Sequence, residues 1–530
     1  MNWFAIVSFA VIILAIYMYA YYRSRSVDTQ ESEGYFLGGR SLVGTTIGMT
    51  ILMTNLSTEH LVGQNGQSYV AGVEVMAWEV TAAVAIVMCA WVFLPRYFKY
   101  GVNTISDFIE VRYDTMTKRI VSILFMFTYI VSFMPVVLYS GALIFNDLFN
   151  IEEHLGVSAV TAVVIIAAFI GLVGILYLFV GGLSLAAHSD SIYGVGLIVG
   201  GLTVTVLGFI ALGNDSFLAG VDHLVTESSD KLNAWGPIDS SIVPWPTLFF
   251  GMFFNNLYFW CTNQMIVQKA LAAKNLKEAQ KGTMMVGFFK IFGLFFLVIP
   301  GIIAYNMFGG DMKMDLAYPT LVNTILPDWS YGIFGAVVFG AIMSSFVGAL
   351  NATVTLFSLD FYKPVINKQA TNRQIAKMGR ILTVVVGLIV VIIAPLISLF
   401  PQGLFAVIQE FNGLYNMPLL AIILVGFFSK KTSALGAKWT FIFHVVTYSL
   451  SKFLLADIHY LYVWSVLFLL DLAILYGFSS LKPDKEDFEF EKYKNKVDLK
   501  PWKHSKLVGT IILSIVVAMY IIFSPLVLAS

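Results

Sequence analysis

Residues 54–67 read TNLSTEHLVGQNGQ, a run holding Asn55, Ser57, Thr58, Glu59 and His60 inside a strongly apolar region. The surrounding segments have the length and composition of membrane-spanning helices, so this polar run lies where a spanning helix ordinarily carries leucine. Backbone amides cannot go unsatisfied in hydrocarbon, and non-helical backbone persists there only when buried in protein or lining a cavity. Serine, threonine and asparagine also hydrogen-bond between spanning helices, which accounts for any one of these residues. The whole cluster points further, to a helix broken at membrane depth beside something polar.

Working outward, the 530-residue chain is 58% hydrophobic and 12% charged, with a mean hydropathy of +0.81. That much apolar surface cannot be hidden in a water-soluble core, so the bilayer is its solvent. Apolar windows of spanning length fall at 3–22, 41–66, 73–95, 120–148, 157–180, 190–212, 245–267, 283–307, 329–360, 381–400, 404–428, 433–455, 460–478 and 507–527. An all-α integral membrane protein with 14 transmembrane helices is expected. The first window lacks a small-residue cleavage site and is followed by Arg23 and Arg25, so it reads as a retained helix with its N-terminus outside. In that orientation all but four of the 32 lysines and arginines fall in segments facing the cytoplasm. Lys231, Lys313 and Lys452 lie outside and Lys290 within a helix. The predicted location is the cell membrane, multi-pass, with both termini extracytoplasmic. The formal net charge is zero, which offers no electrostatic case for nucleic acid. Cys89 and Cys261 lie in apolar runs and read as packing residues. The 213–244 loop and the stretch at 482–500 are too polar to span and too small for a catalytic domain.

A second polar interruption, FFNNLYFWCTNQ at 253–264, lies about 200 residues downstream. Two interrupted helices at corresponding positions of two halves point to a secondary transporter with inverted repeats and a midplane site. Repeats of five helices, starting near 41 and near 245, follow. In GAIMSSFVGALN (340–351) the hydroxyls of Ser344 and Ser345 point about 100° apart, with the carbonyl of Ala341 one turn earlier. Hydroxyls and freed carbonyls suit a hard cation such as sodium, although a Ser-Ser pair among small residues also serves close packing. Ionisable groups inside the membrane are costly and so are functional suspects. Here they are Glu59, His60, Glu79, Asp190, Lys290 and Glu410. Glu79 and Lys290 could equally brace the bundle as a pair.

These residues resemble the sodium:solute symporter family, and more narrowly its sodium/glucose cotransporter branch. The resemblance rests on NLSTEHLVG (55–63), Trp78-Glu79, GGLSLAAHSD (181–190), YFWCTNQMIVQKALAAKN (258–275), SSFVGALNATVTLFSLDFYK (344–363) and VIQEFNG (407–413). It implies a LeuT-type fold in a single transporter domain. An extra N-terminal helix (3–22) precedes a ten-helix inverted-repeat core (41–428), and three C-terminal helices (433–527) follow. It also implies that Asn55, His60, Glu79, Asn256, Lys290 and Gln409 contact a sugar, with Phe259 and Trp260 as inner gate and stacking partner. Phe259 stands where close relatives carry tyrosine. His60 is shared with animal glucose carriers, which leans towards glucose-like or galactose-like hexoses.

The same resemblance places the Ser344 and Ser345 hydroxyls with the carbonyls of Ala341, Met53 and Leu56 around a co-transported sodium ion. Asp190 would lie on the ion release path. Val347 and Gly348 occupy positions where some relatives place hydroxyls of a second sodium site, so one sodium per sugar is expected. No obligate protein partner is evident. A carrier for a sugar acid or inositol on the same fold is the alternative, and a non-transporting sugar sensor a weaker one. No nucleophile-base motif or metal-ligand cluster supports an enzyme.

Overall fold

The structure, a computed structural model, describes residues 3–399, 404–483, 488 and 499–529. Among the described residues the chain is helical, without strands. One isolated bridge joins Leu42 to Ala273. Among the described residues nine helical stretches are long and apolar enough to cross a membrane, and a tenth arises if the pair 405–412 and 416–428, bent by 51°, is one span. Most of the polar stretch at 482–500 lies outside the described residues. The 213–244 segment is not merely a loop, since Phe217–Glu227 is helical and its N-cap Ser216 accepts from the Ala219 amide.

The helices that build the site are numbered here in chain order. They are α1 (Trp3–Ser24), α2 (Gly44–Asn55), α3 (Thr58–Ala71), α4 (Ala77–Met88), α5 (Ala159–Leu212), α6 (Gly251–Thr262), α7 (Gln264–Leu271), α8 (Leu276–Gly293), α9 (Tyr331–Phe357) and α10 (Leu404–Asn412). α2 is packed between α5 and α8, α4 lies against α6 and α8, and α1 covers α5 and α9.

The opening polar stretch does break a helix. α2 stops at Asn55, Leu56 is non-helical, and Ser57 is extended (φ −108°, ψ −174°) before α3 begins. A helix end leaves its last carbonyls without intrahelical partners, so oxygens of residues 53 and 54 are free to meet side chains. The second interruption falls at Asn263 (φ −71°, ψ 128°), between α6 and α7. Its side chain caps α7 by accepting from the Met265 amide at 3.0 Å, and it also accepts from the Tyr129 hydroxyl at 2.7 Å. An asparagine that supplies its own cap is a strong reason for the chain to restart a helix there.

Two expectations are corrected. The first core segment, expected to end at 66, runs as α3 to Ala71. The windows at 157–180 and 190–212 are two helices, as expected, which meet within α5 at a kink at Gly182, where φ is 57° and ψ −156°. A Cβ at that glycine would lie 2.6 Å from the Tyr35 carbonyl oxygen, so both conformation and space require glycine. Lys269, counted with the cytoplasm-facing cations, is only 1% exposed inside the bundle. A lysine there escapes hydropathy reasoning because its partners come from other helices.

Candidate functional site

α2, α3, α4, α6, α8 and α10 converge on one cavity. It is lined by Asn55, His60, Glu79, Asn256, Phe259, Trp260, Lys290 and Gln409, together with Glu59, Gln64, Trp78 and Phe405. The structure thus brings together all eight residues assigned to solute. Eight more lining residues were not assigned, although the polar character of Glu59 and Gln64 in the opening stretch was an available signal.

A continuous hydrogen-bond chain runs through this wall. The Lys290 ammonium is ion-paired with Glu79 and donates to Asn55 Oδ1 at 2.6 Å. The Asn55 amide donates to His60 Nε2 at 3.3 Å, which leaves the proton on Nδ1 to be donated to Glu59 Oε1 at 3.2 Å. Gln64 Nε2 donates to the other Glu79 oxygen at 2.9 Å. Lys290 also sits 5.3 Å from the centre of the Trp260 ring, a cation–π contact that holds the indole face in place. Asn256 donates to Thr81 at 2.7 Å. Phe259 packs edge-on against Trp260, and Phe405 packs edge-on against both His60 and Trp78.

Not every polar atom in this wall is used. Glu59 Oε2, Gln64 Oε1, Trp78 Nε1 and Gln409 Oε1 are buried without a hydrogen-bond partner. Leaving such a group unsatisfied costs about 1–3 kcal/mol, so four around one cavity are a strong local preference for a polar guest. Two carboxylates and one ammonium face the cavity, which disfavours a guest that brings a further negative charge.

Beside the break in α2 lies a second cluster. Ser345 donates to the freed carbonyl of Thr54 at 2.8 Å, with that of Met53 at 3.4 Å. The Ser344 hydroxyl lies 3.3 Å from that of Thr54. Ala341 and Leu56 are fully buried in the same region. Asp190, on α5, is not bare: it accepts from the Thr50 hydroxyl and pairs with Lys269 at 3.4 Å. Thr50, Thr54 and Lys269 were missed by sequence reasoning. The two threonines carry no signal within an apolar helix, and Lys269 carries a misleading one.

The family model for the sodium:solute symporter family matches residues 35–443, and so covers more than half of the chain. The chain belongs to the sodium:solute symporter family. It is 42% identical over 522 residues to an uncharacterized symporter, YidK, of Escherichia coli (strain K12), covering 98% of this chain and 91% of that one. It is 31% identical over 437 residues to a sodium/glucose cotransporter of Vibrio parahaemolyticus, covering 78% of each. A human sodium/myo-inositol cotransporter 2 is 28% identical over 441 residues, 77% of this chain and 63% of that one. Among solved structures, a substrate-bound, outward-open sodium-coupled sialic acid symporter superposes with a TM-score of 0.78 at 17% identity, covering 91% of this chain and 99% of that one. Mhp1, a nucleobase-cation-symport-1 family transporter, superposes with a TM-score of 0.59 at 11% identity, over 88% and 98% of the two chains. These likenesses give the symporter its fold, the all-helical LeuT-like transporter architecture. The protein is therefore a sodium-coupled solute symporter of the membrane and not an enzyme.

Proposed function

We propose that this symporter couples inward movement of sodium to uptake of a neutral hexose of glucose or galactose type, by alternating access. The carrying observation is the convergence of four buried, unpartnered polar atoms on a cavity with aromatic walls. A pyranose supplies both complements, since its hydroxyls donate and accept while its C–H face stacks on a ring. Asn55, His60, Glu79, Asn256, Lys290 and Gln409 bind the hydroxyls, and Phe259 and Trp260 close and stack. The relative named as a sodium/glucose cotransporter supports this choice.

Sodium is held by the Ser344 and Ser345 hydroxyls with carbonyls of Met53, Leu56 and Ala341, where the break in α2 faces α9. Its binding favours the outward-facing state and so raises solute affinity, a coupling that must be reciprocal. One ion is enough in energy terms: about 2.3 kcal/mol from a 100 mV potential and about 1.4 kcal/mol from a tenfold gradient. Together they sustain a solute gradient of several hundred-fold. The proposed architecture is a single transporter domain of fourteen spans, both termini extracytoplasmic. An N-terminal helix (3–22) precedes a core (41–428) of two inverted five-helix repeats, and three helices (433–527) follow.

A second reading keeps the site and changes the ring. Myo-inositol presents the same hydroxyl density, and a relative is named for it. A sugar acid is disfavoured because Lys290, the only cavity-lining ammonium among the described residues, is already bound to Glu79. Counterflow in proteoliposomes with labelled glucose, galactose, myo-inositol and glucuronate, with sodium or choline outside, tests these readings. Sodium-dependent exchange of a hexose supports the proposal. Exchange of glucuronate alone, or exchange indifferent to sodium, refutes it.

A further inference from the structure

Lys269 lies in the last turn of α7, the second half of the second broken helix, yet its ammonium reaches the end of α2. Nζ donates to the Thr50 carbonyl at 3.2 Å, to the Thr54 hydroxyl, and to Asp190 Oδ2 at 3.4 Å. An ammonium has three protons, and all three are used. Thr54 spends its own proton on the Thr50 carbonyl at 2.7 Å, so its oxygen is free to accept both from Lys269 and from Ser344 at 3.3 Å. The group is thus ringed by a carboxylate, a hydroxyl and a carbonyl, the oxygen types that ligate an alkali cation.

Gly348 marks the same place independently. A Cβ built there would lie 3.4 Å from Lys269 Nζ and 3.5 Å from Thr54 Oγ1. Gly348 lies one helical turn beyond Ser344 on α9, so a side chain at 348 would aim at the ammonium. The ion-binding serines, the ammonium and Asp190 therefore form one contiguous cluster at the joint of α2, α5, α7 and α9.

We infer that the Lys269 ammonium is a tethered cation that fills a second alkali-ion position beside the sodium site, so that the carrier takes one sodium where its oxygens would hold two. This rests on the ion site proposed above. The charge of Asp190 is balanced from within the protein, which removes the electrostatic pull on a second ion. The tether also joins α2 to α7, so the two broken helices move with a fixed charge between them.

The test uses the purified full-length protein without solute and sodium alone as the ligand, with ²²Na⁺ binding counted per chain. Wild type is expected to bind one sodium, and Ser345→Ala to bind it about tenfold more weakly. Lys269→Gln is expected to bind two, because Asp190, Thr50, Thr54 and Ser344 are then left uncompensated. Lys269→Gln/Asp190→Asn is expected to return to one. Lys269→Gln binding a single sodium with wild-type affinity, or none, overturns the inference while leaving the serine site standing. Wild type that binds no sodium, or two, refutes the ion site or the count and the inference with it. If Lys269→Gln does not fold, Asp190→Asn in the wild-type background decides. Its unbalanced ammonium should weaken binding at the serine site at least tenfold, and unchanged affinity there overturns the inference.

Discussion

Two of the symporter's buried lysines, Lys290 and Lys269, sit in opposite kinds of surroundings. Lys290 belongs to a chain of side chains that runs from Glu59 through His60 and Asn55 to Glu79 and Gln64, and that chain ends in atoms with nothing to bond. Lys269 belongs to a closed cluster in which each proton of the ammonium has an acceptor within the protein. A buried charge is tolerable only when paired and hydrogen-bonded, and both satisfy that condition. Only the first leaves hydrogen-bonding capacity to spare. Spare capacity is what a transported solute needs, whereas a saturated cluster is suited to holding charge in place.

The largest expected effect breaks the open cluster. Glu79→Ala leaves the Lys290 ammonium buried and unpaired, which costs about 3–5 kcal/mol of stability, and hexose uptake should fall at least a hundredfold. Glu79→Gln/Lys290→Met removes both charges. It should recover folded yield in size-exclusion profiles without recovering uptake. Uptake restored along with folding would mean that the pair only braces the bundle.

Next comes the joint between the two clusters. Ser345→Ala removes the hydroxyl that meets the Thr54 carbonyl. The sodium concentration for half-maximal uptake should rise about tenfold, equivalent to about 1.4 kcal/mol, with little change in hexose KM at saturating sodium. Unchanged sodium activation would detach this serine from the ion. A smaller effect sharpens the contrast in spare capacity. Gln409→Ala removes one unpartnered acceptor and should raise hexose KM about fivefold to tenfold, the scale of one neutral hydrogen bond. A KM indistinguishable from wild type would place the guest elsewhere in the cavity.

The smallest effect lies away from both lysines and serves as their reference. Asp114 caps a helix by accepting from the Thr117 amide at 2.8 Å, and it pairs with Lys438. Burial pushes its carboxyl up, but Lys438 and the Thr117 amide and hydroxyl outweigh that and hold it below the usual carboxylate range. A depressed carboxylate adds stability above its unfolded value and loses it as pH falls through the folded one. Asp114→Ala should therefore cost about 1 kcal/mol near neutral pH, a small drop in melting temperature, with the gap to wild type closing in acid. Sodium affinity and uptake per folded molecule should not change.

Much of the cavity was legible beforehand because polar residues in an apolar run are conspicuous one by one. Asn55, His60 and Glu79 stand out in their own segments, and so do Asn256 and Lys290. Their convergence was not legible from composition, and neither was the role of Lys269. A lysine in QMIVQKALAAKN, followed closely by Lys274, Lys277 and Lys281, has the pattern of an interfacial basic cluster. Thr50 and Thr54 are equally silent, since a threonine in a spanning helix commonly bonds its own backbone, as Thr54 does.

By itself the chain determined that this protein lives in a bilayer and that its first polar run interrupts a helix, because hydrocarbon gives backbone and charge no other partner. The tertiary structure alone decided that Lys269 meets Asp190, and it turned the pairing of Lys290 with Glu79, one of the readings the sequence left open, into a contact. The reason is geometric. A lysine ammonium stands several bonds from its backbone, and its acceptors lie on helices distant in sequence, so only packing sets the distances on which pairing depends.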